Sequence, residues 1–91
     1  MIVSYKNKGL QAFAQEGDGS KLPVQNEDRI RIILERLDAS IAPDDMALPG
    51  LGFHPLQGRP KRYAVKVNKN YRITFGWSGE DAIDVDIEDD H

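Results

Sequence analysis

No cysteine occurs in the chain, which excludes a disulfide framework, a cysteine-ligated zinc and a thiol nucleophile, and leaves packing alone to hold the fold. Nor is there an apolar run near the roughly 18 residues that a membrane span needs. The opening, Met1 to Lys8, lacks the basic-then-apolar order of a secretory signal. These absences predict a cytoplasmic chain in a reducing environment with no membrane partner. At 91 residues, 40% hydrophobic and 30% charged, the chain is expected to form one domain over 1–91, because sequences this short rarely divide into two cores.

One sign of charge is also missing from a long stretch. Between Leu48 and Gly79 there is no Asp or Glu, while Arg59, Lys61, Arg62, Lys66, Lys69 and Arg72 supply six positive charges. All 15 acids lie outside it with the other six of the 12 basic residues, so +6 in the middle and −9 elsewhere make the formal −3. Such separation points to a local site for a polyanion on an acidic body; the alternative is a solvated basic hairpin.

Periodicity divides the chain. Ile2 to Tyr5 is a short strand candidate. From about Lys8 to Glu16 the pattern is helical, with Leu10, Phe13 and Ala14 on one face and Gly17 as the stop. Asn26 is a suitable N-cap for a second helix to about Ala39, where Ile30, Ile33, Leu34 and Leu37 follow the i, i+3, i+4, i+7 rule. From Ile41 to Arg62, four prolines and three glycines break any period, which predicts a long shaped connection. The period then becomes two, with Val65 and Val67, Tyr71 to Trp77, and Ile83, Val85 and Ile87 as three antiparallel strands joined by turns at Asn68–Asn70 and Ser78–Asp81. An α+β fold with helices on one sheet face follows. Alternation turns Tyr71, Ile73, Phe75 and Trp77 toward the helices, and Arg72 and Thr74 away, with Lys66, Asp84 and Asp86 beside them. Arg72 is then open to two readings, a phosphate contact or an ion pair with Asp84 or Asp86.

Four stretches carry a resemblance: IVSYKNKGL near the start, PGLGFHPLQG at Pro49–Gly58, VNKNYRITF at Val67–Phe75 and VDIEDDH at Val85–His91. In order and spacing they resemble the HigB-type toxins of the RelE superfamily, the plasmid-maintenance killer proteins. The resemblance implies a RelE-like fold, with an N-terminal strand and two helices packed on an antiparallel sheet that a three-strand meander completes. It also implies a type II toxin that cuts translated mRNA in the ribosomal decoding site, without metal or other cofactor. The expected chemistry is attack of a ribose 2′-hydroxyl on the adjacent phosphate, leaving a cyclic phosphate and a free 5′-hydroxyl. Such a reaction needs a base, an acid, and positive donors for the charge that builds on phosphorus.

The family motif carries over to His54 as the active-site imidazole and to Arg72 as the phosphate-holding arginine of the aromatic-Arg-Ile hairpin. Taken without the resemblance, His54 reads as a partly buried loop residue. The family's closing Asp-Tyr-His carries over to Asp89 and His91 only, because Asp90 stands where the tyrosine belongs. Asp90 removes a ring that could stack on a base and adds a charge that repels RNA. Arg59, Lys61, Arg62, Lys66 and Lys69 are assigned to the RNA backbone. The implied partners are the ribosome with its mRNA and a HigA-like helix-turn-helix antitoxin. Two alternatives stand beside this reading: a ParE-like toxin that poisons DNA gyrase, and a weakened relative that mainly binds its antitoxin.

Overall fold

The computed structural model describes residues 1–90. Helix α1, Lys8–Glu16, begins where the Asn7 side chain accepts the Leu10 N–H and ends at Gly17, whose φ of 72° is the left-handed turn that glycine adopts without strain. It buries Leu10 and Phe13, whereas Ala14, expected on the same face, is exposed. Helix α2, Glu27–Ala39, buries Ile30, Ile33, Leu34 and Leu37 as its spacing predicts. Asn26 stands at its N-cap, but its side chain makes no cap bond and instead accepts from the Asn68 amide. No helix among the described residues is long and apolar enough to cross a membrane.

The long connection is more structured than its prolines and glycines imply. It contains a 3₁₀ turn, Pro43–Met46, that buries Met46, and a short strand β1, His54–Leu56. Strands β2 (Arg62–Lys66), β3 (Tyr71–Ser78) and β4 (Asp81–Asp89) complete a four-stranded antiparallel sheet in the order β1-β2-β3-β4. The sheet therefore has one more hairpin partner than the expected meander. The N-terminal segment, expected as a strand, makes only two isolated parallel bridges to β4, Ile2 to Ala82 and Tyr5 to Val85.

Both departures on β4 have one cause. Thr74 pairs with Asp86 but Gly76 pairs with Ile83, so two steps along β3 match three along β4, and an extra residue sits in β4. Asp84, at that bulge, has a φ of 50°. One inserted residue reverses the alternation: Ala82, Val85 and Ile87 are buried, and Ile83, expected in the core, lies outward against Gly76. The kink also interrupts the ladder to the N-terminal segment, where the Asp84 N–H donates to the Ser4 hydroxyl rather than to a backbone carbonyl.

Between helices and sheet, Ile73, Phe75, Val65 and Val85 pack against Leu10, Ile30, Ile33 and Leu37. Along the sheet, Phe53, Tyr63 and Phe75 stack at 5.8 Å spacings and Trp77 closes the row edge-on. Phe53 thereby fastens the segment that carries the neighbouring His54. A second fastening comes from α2: Arg29 donates to the Lys66 carbonyl from Nε at 3.1 Å and from Nη2 at 2.8 Å, and to the Gly50 carbonyl at 2.8 Å. Charged donors to carbonyls are among the stronger hydrogen bonds, so Arg29→Ala is expected to cost about 1–2 kcal/mol. The check is a lower urea midpoint at unchanged slope.

Candidate functional site

Cross-strand partners share a face of a sheet. The registers His54–Ala64–Thr74–Asp86 and Lys66–Arg72–Glu88 therefore put two rows of side chains on the face turned away from the helices. Arg62, two residues from Ala64 on β2, joins them. Ala64 and Thr74, in the middle, are fully buried although they stand outside the helix-side core. Longer neighbours cover them.

His54 begins the edge strand and is exposed. Its Nδ1 lies 3.0 Å from the Gly52 carbonyl. A carbonyl only accepts, so Nδ1 carries a proton, and in the neutral form of the ring Nε2 is the basic nitrogen. The backbone that makes this contact is held from β2, where the Lys66 N–H donates to the Leu51 carbonyl at 2.7 Å. Gly52, with a φ of 61°, leaves its α-carbon open to the Lys66 methylenes. His54 and the Lys66 ammonium stem therefore flank one glycine.

Arg72 occupies β3, two strand spacings from β1, about 10 Å across the sheet. It is 24% exposed and sits between two carboxylates, Asp90 at 3.4 Å from Nη1 and Glu88 at 3.8 Å from Nη2. The ion pair weighed from the sequence is thus formed, but with different acids. Asp84 is displaced by the bulge and turns to Ser4, and Asp86 accepts from the Ile87 N–H. Arg72 Nε is buried and finds no partner among the described residues. Glu88 also accepts from the Thr74 hydroxyl, which in turn accepts from Arg62 Nη2 at 2.9 Å. Arg62 is anchored a second time, on the Asp84 carbonyl at 2.8 Å.

The remaining expected residues divide. Lys66 is exposed on the same face. Lys69 is exposed in the turn between β2 and β3. Arg59 and Lys61 are exposed in the loop before β2 and line a shallow cavity of about 440 Å³ with Gly58 and Pro60. Arg62, by contrast, commits its Nη2 within the fold, to the Thr74 hydroxyl and the Asp84 carbonyl. Asp89 pairs with Tyr71 on the register that faces the helices, not with Arg72. His91 lies outside the described residues. The acid-free stretch of sequence is not an acid-free surface: β4 and the residue after it bring Asp86, Glu88 and Asp90 beside Arg62, Lys66 and Arg72. Glu88 escaped the sequence reading, and Thr74 was placed beside Arg72 without a role; the one available signal was the acidic run in VDIEDDH facing a mid-strand arginine.

Among the described residues no three His, Cys, Asp or Glu side chains gather to hold a metal ion. A larger cavity, about 520 Å³, lies far from His54, between the N-terminal segment and the two helices, lined by Ile2, Tyr5, Phe13, Leu34 and Asp38 among others. Burial there, with Asp38 nearby, pushes the Tyr5 phenol up from its ordinary value.

Residues 3–91 match the family model of the HigB-like toxins, described as the RelE-like toxin HigB of type II toxin-antitoxin systems. The chain is 35% identical over 92 residues to the Endoribonuclease HigB of Proteus vulgaris, with 100% of both chains covered. It is 35% identical over 80 residues to Toxin HigB-1 of Vibrio cholerae serotype O1, covering 85% of this chain and 84% of that one.

Proposed function

The chain belongs to the HigB family of RelE-like toxins from type II toxin-antitoxin systems, and from that membership we propose that it arrests growth by cutting mRNA on the ribosome. Endoribonuclease is the activity its full-length relative carries by name, and the present chain shares it. Membership also implies an antitoxin; we assign that role to a HigA-like helix-turn-helix protein in the cytoplasm.

The observation that supports the mechanism is that the His54 imidazole and the Arg72 guanidinium stand on one sheet face, on β1 and β3. His54 Nε2 accepts the proton of a ribose 2′-hydroxyl as its oxygen bonds to phosphorus. Arg72 donates to the non-bridging oxygens, whose charge rises as five bonds to phosphorus form. The bond to the 5′ oxygen then breaks, leaving a 2′,3′-cyclic phosphate, and the 5′ oxygen takes a proton, a role assigned to His91 with Asp89 on the family pattern. Lys66 lies nearest to these groups and steadies the backbone; Arg59, Lys61 and Lys69 extend that grip along the loops. Arg62 serves the same strand from within the fold. Every role falls to a side chain of this protein.

Asp90 competes with RNA for Arg72, since its carboxylate sits on Nη1. Asp90→Asn is expected to raise cleavage a few-fold, the scale of one partly exposed ion pair. Asp90→Tyr is expected to raise it further, because a ring can stack on a base for about 1–3 kcal/mol. The gain from Asn should shrink as salt rises. Ribosome-programmed cleavage rates at two salt concentrations check both statements; equal rates for all three proteins contradict them.

The proposal as a whole is tested by expressing the chain alone in bacteria and following messages and DNA. Loss of translated mRNAs ahead of growth arrest supports it. Gyrase-dependent DNA breaks with intact messages overturn it.

A further inference from the structure

We propose that Glu88, locked by Thr74 and Arg62, is the positioning residue that sets the Arg72 guanidinium for the scissile phosphate, an inference that rests on the endoribonuclease reading above.

The lock starts from Arg62, which has donors only. Its Nη2 reaches the Thr74 hydroxyl at 2.9 Å and the Asp84 carbonyl at 2.8 Å. To do so the side chain runs across β3 over Gly76, where a Cβ would stand 3.7 Å from Arg62 Nη1 and 3.2 Å from Ile83. The bulge at Asp84 supplies the acceptor at the far end. Because Arg62 can only donate, the Thr74 oxygen accepts from it and the single Thr74 proton is left to donate to Glu88. Thr74 has no exposed surface, so water does not offer it another partner. The direction of the chain is therefore fixed, and Glu88 is its acceptor.

With Oε2 held by Thr74, Glu88 turns Oε1 toward Arg72 Nη2 at 3.8 Å. That separation is too long for a hydrogen bond and acts through charge. It orients the guanidinium without saturating it. Asp90 is tied differently: it approaches Nη1 at 3.4 Å from beyond the last residue of β4, and among the described residues no Thr74-like partner holds its carboxylate. The Nη1–Nη2 end of the planar guanidinium is a fork that an anion with two oxygens can fill once Asp90 leaves it. A phosphate entering the site displaces the Asp90 carboxylate and takes the open donors, while Glu88, fixed from behind, keeps the plane of the fork.

The test is single-turnover cleavage of ribosome-bound mRNA by the full chain, with rates normalised to the folded fraction by circular dichroism. Glu88→Gln and Thr74→Val should each lower the maximal rate about tenfold while the half-saturating concentration changes less than about twofold, the pattern of a misaimed group rather than a lost contact. Thr74→Ser, which keeps the hydroxyl, should recover most of the rate. In an Arg72→Lys background, where there is no planar fork to set, adding Glu88→Gln should change the rate less than about twofold. Independent, multiplying effects of Glu88→Gln and Arg72→Lys would overturn the inference. So would rates for Glu88→Gln equal to the wild type, or Thr74→Ser as slow as Thr74→Val. If the wild-type chain itself fails to cut ribosome-bound mRNA, the endoribonuclease reading falls, and this one with it.

Discussion

Arg72→Ala should abolish cleavage, by on the order of 10²-fold or more, and leave the domain folded. The rate loss follows from removing the donor aimed at the phosphorane oxygens, a change that typically raises the barrier by a few kcal/mol. The structural penalty is smaller. Among the described residues Arg72 is paired only with Glu88 and Asp90, all three partly exposed, and pairs of this kind contribute about 0–1 kcal/mol. Its removal leaves two carboxylates without their cation, but Glu88 still has Thr74. Circular dichroism melts beside an activity titration separate the two effects. A domain that unfolds, with cleavage retained per folded molecule, would mean that the ion pair is the whole purpose of Arg72.

His54→Gln should lower cleavage by about 10²- to 10⁴-fold, the range for loss of a positioned proton acceptor. Glutamine keeps a donor that can reach the Gly52 carbonyl and has no nitrogen able to take a proton, so the substitution separates geometry from basicity. Stability should stay within about 0.5 kcal/mol of the wild type, because His54 is exposed on an edge strand and fills no part of the core. Cleavage rates per folded molecule are the measurement. A loss of less than threefold would remove the imidazole from the chemistry and leave Gly52 and its neighbours as a mere loop.

The helices were legible because each carries its own period and stop: Leu10 and Phe13 before Gly17, and the Ile30 to Leu37 ladder behind Asn26. Even there the bond at Asn26 went elsewhere, since Asn68, 42 residues on, took its oxygen. The three long strands were legible from alternation, but β1 was not. Three residues containing Pro55 show no period, and their pairing with Arg62 to Ala64 is a tertiary fact. Ile83 shows the limit most clearly, because nothing local announces the residue inserted at Asp84 that turns it outward.

The register explains what was missed at the site. Alternation sets Asp84, Asp86 and Glu88 on one face without saying which lies opposite Arg72; the actual register delivers Glu88, with Asp90 beyond it. The excess of lysine and arginine from Arg59 to Arg72 was a true feature of the chain, yet the acids of β4 fold onto it, and Arg62 turns its Nη2 into the sheet. His54 and Arg72 do share a face, which the strand registers set and the sequence did not announce.

The most direct measurement is mRNA cleavage by the purified chain on translating ribosomes and on the same mRNA alone, with the new ends mapped and their chemistry determined. Two side chains from separate strands hold no RNA in line by themselves, so the ribosome must supply the alignment. The expected result is cutting at the codon in the decoding site, with a 2′,3′-cyclic phosphate on one fragment and a 5′-hydroxyl on the other, and little cutting of the naked message. Equal cleavage of free and ribosome-bound mRNA, or fragments ending in a 5′-phosphate, would contradict it.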